Sequence, residues 1–400
     1  MNDKPAKPAG PIEPIPLNVF TGFLGAGKTT LLNRLLKDPA LSNTAVLVNE
    51  VGDIGIDHNL YEIVEEGVIL LASGCLCCAV RGDLVNSLEN LLRARDNGRC
   101  KAFDRVVVET TGIADPASVI HIIMTQPYLT LRYRLDGVVT LVDAVNGMHT
   151  LDHHEEAVKQ AAMADRIVIT KTDLPEGAAA LPALRARLQK LNPAAVVLEG
   201  QPPVAELVNA GLYNPESKIP DVARWLREEA VIAAEEGAHH GAHAHGHDHH
   251  HHHGHDHGHG HGHGHGHDHG HHHHDQASRH DASIKAFSIA TEQAIPLNTL
   301  EMFLDLMRSA HGDKLLRMKG IVRLADDPER PVVFHVVQHL MHPPARLESW
   351  PDDDRRSRMV CITKDLAPEM VRKMFDAFLG VPQIDTPDKA ALTDNPLALR

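Results

Sequence analysis

Gly22-Phe23-Leu24-Gly25-Ala26-Gly27-Lys28-Thr29-Thr30 follows an apolar run, Ile15–Thr21, and leads into a helical pattern over Lys28–Leu36. A G-x-x-x-x-G-K-T pattern between a strand and a helix is a phosphate-binding loop. Gly22 opens its turn. The main-chain N–H groups of Gly25, Ala26, Gly27 and Lys28 then cradle phosphate oxygens at the helix N-terminus. In this arrangement Lys28 neutralises the β- and γ-phosphates, and the Thr29 hydroxyl serves Mg2+. Thr30 extends the motif into the helix.

Outward from this loop, apolar strand patterns recur at Thr44–Asn49, Val68–Leu71, Arg105–Glu109, Leu135–Val142, Arg166–Thr170 and Ala195–Leu198. Helical patterns lie between most of them, including Asp83–Arg95, Glu155–Ala164 and Leu181–Leu191. Continuous apolar strands alternating with helices imply an α/β fold, a mostly parallel, doubly wound sheet covered on both faces. This P-loop domain is expected over 15–236, with Pro220–Glu236 as a trailing helix, after a disordered lead-in at 1–14.

Composition then shifts. Most of the chain's 32 histidines fall in a His-, Gly- and Asp-rich tract. No core can form from such residues, so 237–281 is read as a disordered linker. Strand patterns at Ser283–Ala290, Lys314–Leu324, Pro331–Val337 and Arg358–Thr363 resume beyond it, with helices over Pro296–Ser309 and Pro368–Leu379. They imply a smaller C-terminal α+β domain over 282–380, and 381–400 is expected to be loose.

At 400 residues the chain suits two or three domains. A net charge of -14 argues against a general nucleic-acid binder. No apolar run reaches the roughly 18 residues a spanning helix needs, and the Pro- and Lys-rich start is no signal peptide. An odd count of 5 cysteines, most of them crowded together, fits a reducing compartment better than a disulfide framework. These features together imply a soluble cytoplasmic protein with neither membrane nor nucleic acid as partner.

Two further segments bear on the nucleotide. Glu109-Thr110-Thr111-Gly112 ends a buried strand, which suits a carboxylate in a second Mg2+ shell and a glycine contact to the γ-phosphate, the alternative being a solvated strand-end acid. Thr170-Lys171-Thr172-Asp173 ends another. The Asp173 carboxylate can accept both donors of guanine's Watson–Crick edge while the Lys171 stem packs on the base, which favours GTP and GDP over adenine nucleotides. Thr170 stands where GTPases commonly carry Asn.

Cys75, Cys77 and Cys78 follow Gly74 closely enough to ligate one ion. Three thiolates suit Zn2+ and leave a fourth position open for exchange. The C-x-x-C spacing of Cys75 and Cys78 also allows a thiol redox pair. The histidine tract is a candidate antenna for Zn2+, Ni2+, Co2+ or Cu2+, its alternative being a solubilising linker. His335, His339 and His342 are read first as buried or surface histidines and second as a metal site. Asp143 is read as a strand-end acid, and Cys100 and Cys361 carry no assignment.

The set Gly22–Thr30, Asn49-Glu50-Val51-Gly52-Asp53-Ile54-Gly55-Ile56-Asp57, Gly74-Cys75-Leu76-Cys77-Cys78 and Glu109–Gly112 resembles the CobW-type metallochaperone GTPases. Leu315-Leu316-Arg317-Met318-Lys319-Gly320 resembles that family's C-terminal signature. The resemblance implies slow, Mg2+-dependent GTP hydrolysis and transfer of a metal from Cys75, Cys77 and Cys78 to client proteins. Zinc comes first, with cobalt handling for cobalamin synthesis and a histidine-rich metal buffer as alternatives. It also implies that Glu50 and Asp53 are switch residues able to sense nucleotide and touch metal. Val51 and Asp53 depart from the family's usual Phe and Glu. The client protein is unnamed by the sequence, and a homo-oligomer is open.

Overall fold

The computed structural model describes residues 14–35, 37–49, 62–64, 68–73, 81–209, 226–227, 230–233, 281 and 283–380. Eight strands make the first sheet: β1 (Ile15–Gly22), β2 (Thr44–Asn49), β3 (Glu62–Val64), β4 (Val68–Ser73), β5 (Arg105–Glu109), β6 (Tyr133–Asp143), β7 (Arg166–Thr170) and β8 (Val196–Glu199). Their order is β3-β4-β2-β5-β1-β6-β7-β8. All pairings are parallel except that of edge strand β3 with β4. Alternate residues enter different cores: Val106 and Val108 of β5 pack on one face, and Val107 with Phe20, Val139 and Val168 on the other. This two-sided burial is why the strands read as unbroken apolar runs.

Helices α1 (Lys28–Leu35), α2 (Arg81–Asp96), α3 (Pro116–Thr125), α4 (Pro127–Arg132), α5 (Gly147–His153), α6 (Glu155–Ala162), α7 (Pro175–Leu191) and α8 (Val204–Leu207) accompany the strands. Helix α7 begins earlier than the Leu181 start its apolar pattern suggests, and it carries Pro182 inside. Pro175 takes the first-turn position, where a missing N–H costs nothing, and buried Gly177 and Leu184 hold the helix through Pro182.

The second sheet is antiparallel throughout, in the order β12-β11-β10-β14-β9 with β13 on β11. Its strands are β9 (Ile284–Thr291), β10 (Leu315–Val322), β11 (Val332–Val337), β12 (Leu340–Met341), β13 (Ala345–Arg346) and β14 (Ser357–Lys364). Helices α9 (Leu297–His311) and α10 (Pro368–Phe378) cover one face. Phe303 and Phe375 meet there edge-on at 5.1 Å between ring centroids. Of the expected trailing helix, Leu226 and Val231 are described, and they pack with Ile321, Val333 and Val360 of this second sheet.

The other face of this sheet docks on the P-loop domain through Ile284, Leu316, Val337 and Ile362. A buried carboxylate sits at the junction. Asp165, in the turn between α6 and β7, receives Arg317 Nη2 at 2.8 and 2.7 Å and Lys319 Nζ at 2.8 Å. The main-chain N–H of Val138 donates to it at 2.9 Å, and Arg317 Nη1 donates to Met163 O at 2.7 Å. Period-two alternation along β10 explains the L-L-R-M-K-G signature: Arg317 and Lys319 face Asp165, while Met318 faces the helices. Burial opposes ionisation of Asp165, but Arg317 and Lys319 overcome it and hold the carboxyl well below the usual carboxylate range. Burial and then the Arg317 charge pull the Lys319 ammonium below an ordinary lysine.

Asp165→Asn leaves two buried cations without their counter-charge and is expected to cost about 3–5 kcal/mol, read by urea denaturation at neutral pH. Because the folded-state value is depressed, this stabilisation is complete above the ordinary carboxylate range and is lost as pH falls through the folded value. Acid denaturation of the wild type, but not the loss already present in the variant, should show that dependence.

Candidate nucleotide-binding site

Parallel order brings four strand ends to one edge. β1 lies between β5 and β6, and β6 pairs with β7, so the P-loop, Glu109, Asp143 and Thr170 share the carboxyl end of the sheet. Open α/β sheets bind ligands at that edge. Gly22 has φ +146, and a Cβ there would stand 2.5 Å from Leu141 O, so only glycine lets the loop leave β1 against β6. Gly25 and Gly27 also take positive φ, +75 and +88.

Lys28 Nζ donates to Gly22 O at 2.9 Å and Phe23 O at 3.3 Å, which centres the ammonium over its own loop. Burial lowers its pKa, with Glu109 opposing. Thr29 Oγ1 donates to Glu109 Oε1 at 3.1 Å. A hydroxyl and a carboxylate at the first turn of α1 are hard oxygen donors of the type Mg2+ takes. The loop after Glu109 is pinned by Thr110, whose N–H donates to Phe20 O at 2.9 Å and whose hydroxyl donates to Thr21 Oγ1 at 2.8 Å. Gly112 is pressed on the P-loop, since a Cβ there would stand 2.7 Å from Leu24 N and 2.8 Å from Leu24 Cα.

On the far side of the loop, Thr170 Oγ1 donates to Ala26 O at 2.8 Å, tying the Lys171–Asp173 segment directly to the P-loop. Thr at this position therefore serves as a strut between the two loops. Lys171 has φ +56 and donates to Asp143 Oδ2 at 2.7 Å. Asn146 Nδ2 donates to the same oxygen at 2.8 Å, and the Val145 N–H donates to Oδ1 at 2.8 Å. Burial opposes ionisation of Asp143, but Lys171, Asn146 and the Val145 N–H outweigh it and lower its pKa. Asp143 thus orients Lys171, a role beyond that of a strand-end acid. Asp173 is exposed and open to a base.

Glu50, Asp53, Cys75, Cys77, Cys78 and the histidine tract lie outside the described residues. His335 and His342 stack at 5.2 Å, and His335 Nε2 is 3.1 Å from Arg317 Nε. His339 instead turns to Arg308 O at 2.8 Å and Asp313 at 2.9 Å. His335 and His342 thus come together in the sheet, while His339 is held apart from them by Arg308 and Asp313. Among the described residues no group of three or more His, Cys, Asp and Glu is placed to hold a metal ion, and no helix is long and apolar enough to cross a membrane.

The family described as CobW/HypB/UreG, nucleotide-binding domain, matches residues 16–199. The cobalamin synthesis protein cobW C-terminal domain matches residues 284–379. Zinc chaperone YjiA of Escherichia coli is 30% identical over 366 residues, covering 91% of this chain and 98% of that protein. The chain belongs to the CobW family. Zinc-regulated GTPase metalloprotein activator 1 of Schizosaccharomyces pombe is 35% identical over 217 residues, 52% of this chain and 51% of that protein. The crystal structure of Zn(II)-bound YjiA GTPase superposes with a TM-score of 0.61 at 26% identity, covering 93% of this chain and 100% of that one. CobW-family membership accounts for both sheets and for the order of the motifs.

Gly177 carries a constraint that has no local mark in the sequence. A Cβ there would fall 2.2 Å from Lys171 O, so α7 can approach the Lys171 segment only at a glycine. Gly177→Ala is expected to lose about 1–3 kcal/mol by overpacking, measured by chemical denaturation, with Lys171 displaced from Asp143.

Proposed function

We infer that this protein is a GTP-hydrolysing metallochaperone that carries zinc at Cys75, Cys77 and Cys78 and passes it to a client protein. The observation that carries the GTPase half is the shared sheet edge, where the Thr29–Glu109 pair sits at 3.1 Å beside Lys28 on one side of the P-loop and Lys171 sits on the other. The zinc half rests on the C-x-C-C thiolates and on similarity to relatives named for zinc.

In this reading the N–H groups of Gly25, Ala26, Gly27 and Lys28 bind the β-phosphate, and Lys28 shifts from its loop carbonyls onto the β- and γ-phosphates. Thr29 and Glu109 would hold Mg2+, and the ion, when bound, would supply charge neutralisation at the phosphate oxygens. Gly112 offers its N–H to the γ-phosphate from a loop already pressed on Leu24. Asp173 accepts the guanine N–H donors, while Lys171, oriented by Asp143, packs its stem on the base. Water attack on the γ-phosphate yields GDP and phosphate.

Zinc is cargo here. Three thiolates hold it and an open position admits a client's ligand, so the exchange needs no free ion. Glu50 and Asp53, in the segment preceding the cysteines, link nucleotide state to that exchange, and the C-terminal domain offers the client a surface. The work belongs in the cytoplasm, where thiolates stay reduced. Cobalt is the second reading for the cargo, favoured by the description of the matching C-terminal domain.

Lys28→Ala should abolish GTP turnover with an unchanged far-UV spectrum, because the formal positive charge on the β/γ-phosphates is gone. Wild-type turnover in that variant would falsify the P-loop assignment. Asp173→Asn removes a charge-assisted contact worth about 1.5–3 kcal/mol, so GTP-over-ATP preference should fall roughly tenfold to a hundredfold.

For the cargo, chelator competition on protein lacking 238–280 tests the thiolates. Serine at any one of Cys75, Cys77 or Cys78 should weaken zinc binding by orders of magnitude. If Cys77 proves dispensable, the redox pair gains. Equal zinc affinity with GDP and with a non-hydrolysable GTP analogue, persisting with apo-clients added, would sink the transfer mechanism.

A further inference from the structure

Helix α6 touches both nucleotide loops and the C-terminal domain. At its start, the His154 ring packs on Phe23 of the P-loop, with centroids 4.4 Å apart. Near its end, Gln160 is 1% exposed, and its Nε2 donates to Gly112 O at 3.2 Å and Ala114 O at 3.0 Å. Those carbonyls belong to the loop that follows Glu109. Gln160 also lines, with Phe23, Leu24 and Ala26, a cavity between the P-loop and α6. The Oε1 of Gln160 is buried with no hydrogen-bond partner among the described residues. The two carbonyl contacts of Nε2 therefore fix the side chain against the loop that follows Glu109.

The same short helix is gripped from the other side. Glu155 at its first residue pairs with Lys364 of β14. Past its last residue, Met163 O accepts from Arg317, and Asp165 accepts from Arg317 and Lys319 of β10. One rigid rod of two turns is therefore fastened to the catalytic loop through Gln160 and to the C-terminal domain at both ends. A ligand changes a distant element only through contacts that differ between its bound states. The γ-phosphate supplies such a difference at Gly112, and the carbonyls of Gly112 and Ala114 carry it to Gln160.

We propose that Gln160 is a positioning residue that couples the Gly112 loop to α6, and that α6 transmits nucleotide state to β10 and β14 of the C-terminal domain. The proposal rests on the reading that GTP is bound and hydrolysed at the P-loop, and it is independent of the metal carried. When Gly112 turns toward a γ-phosphate, its carbonyl and that of Ala114 rotate away from Gln160. The helix then settles differently, and the Asp165 and Glu155 contacts move the second sheet with it. A second path is structurally available, because α3, which the same loop enters, lies against β12. Transmission by that path would survive loss of Gln160, so the two are separable.

The test uses the full chain with GDP and with a non-hydrolysable GTP analogue, reading hydrogen exchange over Leu315–Val322 and Ser357–Lys364. Wild-type exchange in these strands should differ between the two states by about fivefold or more, the lower end of ordinary coupling. Gln160→Met keeps the length and removes the donors. It should shrink that difference to about twofold or less and lower kcat about tenfold, with nucleotide Kd changed by no more than about threefold. A side chain that only filled space would leave the nucleotide-dependent difference intact.

If Gln160→Met does not fold, Lys364→Met decides, since it frees the start of α6 from β14 and should shrink the difference over Ser357–Lys364 while hydrolysis continues. A state-dependent difference that persists in the folded Gln160→Met protein, or that persists over Ser357–Lys364 in Lys364→Met when that variant decides, overturns the proposal. So does a wild type in which neither strand senses the nucleotide. Absence of GTP turnover in the wild type would instead overturn the functional reading beneath it.

Discussion

A carboxylate at Asp165 cannot be taken out of water alone, and the arrangement of both domains follows from how its charge is met. Isolated burial of such a group costs several kcal/mol, so the site is tenable only when opposite charge arrives with good geometry. Arg317 supplies a two-pronged donor and Lys319 a third bond, both from one face of β10. The P-loop domain thus contains an acid whose partners lie in the other domain. Separating the domains would expose two cations and an anion together with the apolar patch around Leu316 and Ile362. Such a junction favours one relative placement of the sheets over sliding alternatives, because a displaced sheet would leave the charges unmatched.

The nucleotide edge obeys a second constraint, the parallel strand order. Residues far apart in sequence reach one place because β5, β1, β6 and β7 are neighbours and all end on the same side. Thr170 bonding to Ala26 O and Asp143 bonding to Lys171 Nζ are consequences of that adjacency. The Thr170–Asp173 segment and the Gly22–Thr29 loop form one hydrogen-bonded unit.

Local signals made much of this legible. The P-loop, the strand at Arg105–Glu109 and the segment at Thr170–Asp173 announce themselves by glycine spacing and apolar runs, and the alternation of elements implies the doubly wound sheet. The C-terminal α+β domain follows from its own strand and helix patterns. What stayed hidden depends on contacts between distant segments. Asp143 reads as an ordinary strand-end acid until β6 is known to pair with β7. Gln160 looks like a polar residue on a helix, and only its burial against the Gly112 loop reveals it. Arg317 and Lys319 are visible as part of a signature, but their common partner, Asp165, carries no local mark. Helix α7 starts at Pro175, ahead of the Leu181–Leu191 pattern, because its first turns are held by buried Gly177 and Leu184 and continue through Pro182.

Lys28 lies over the carbonyls of Gly22 and Phe23 within its own loop. A free lysine side chain samples many rotamers, and fixing one costs up to about 2 kcal/mol. Here that loss is incurred when the chain folds, so under the proposed function a phosphate would meet an ammonium already confined to the mouth of the loop. The carbonyls also act as a temporary substitute for the anion, keeping a half-desolvated cation solvated by dipoles. In the proposed nucleotide complex, phosphate oxygens would replace those two acceptors.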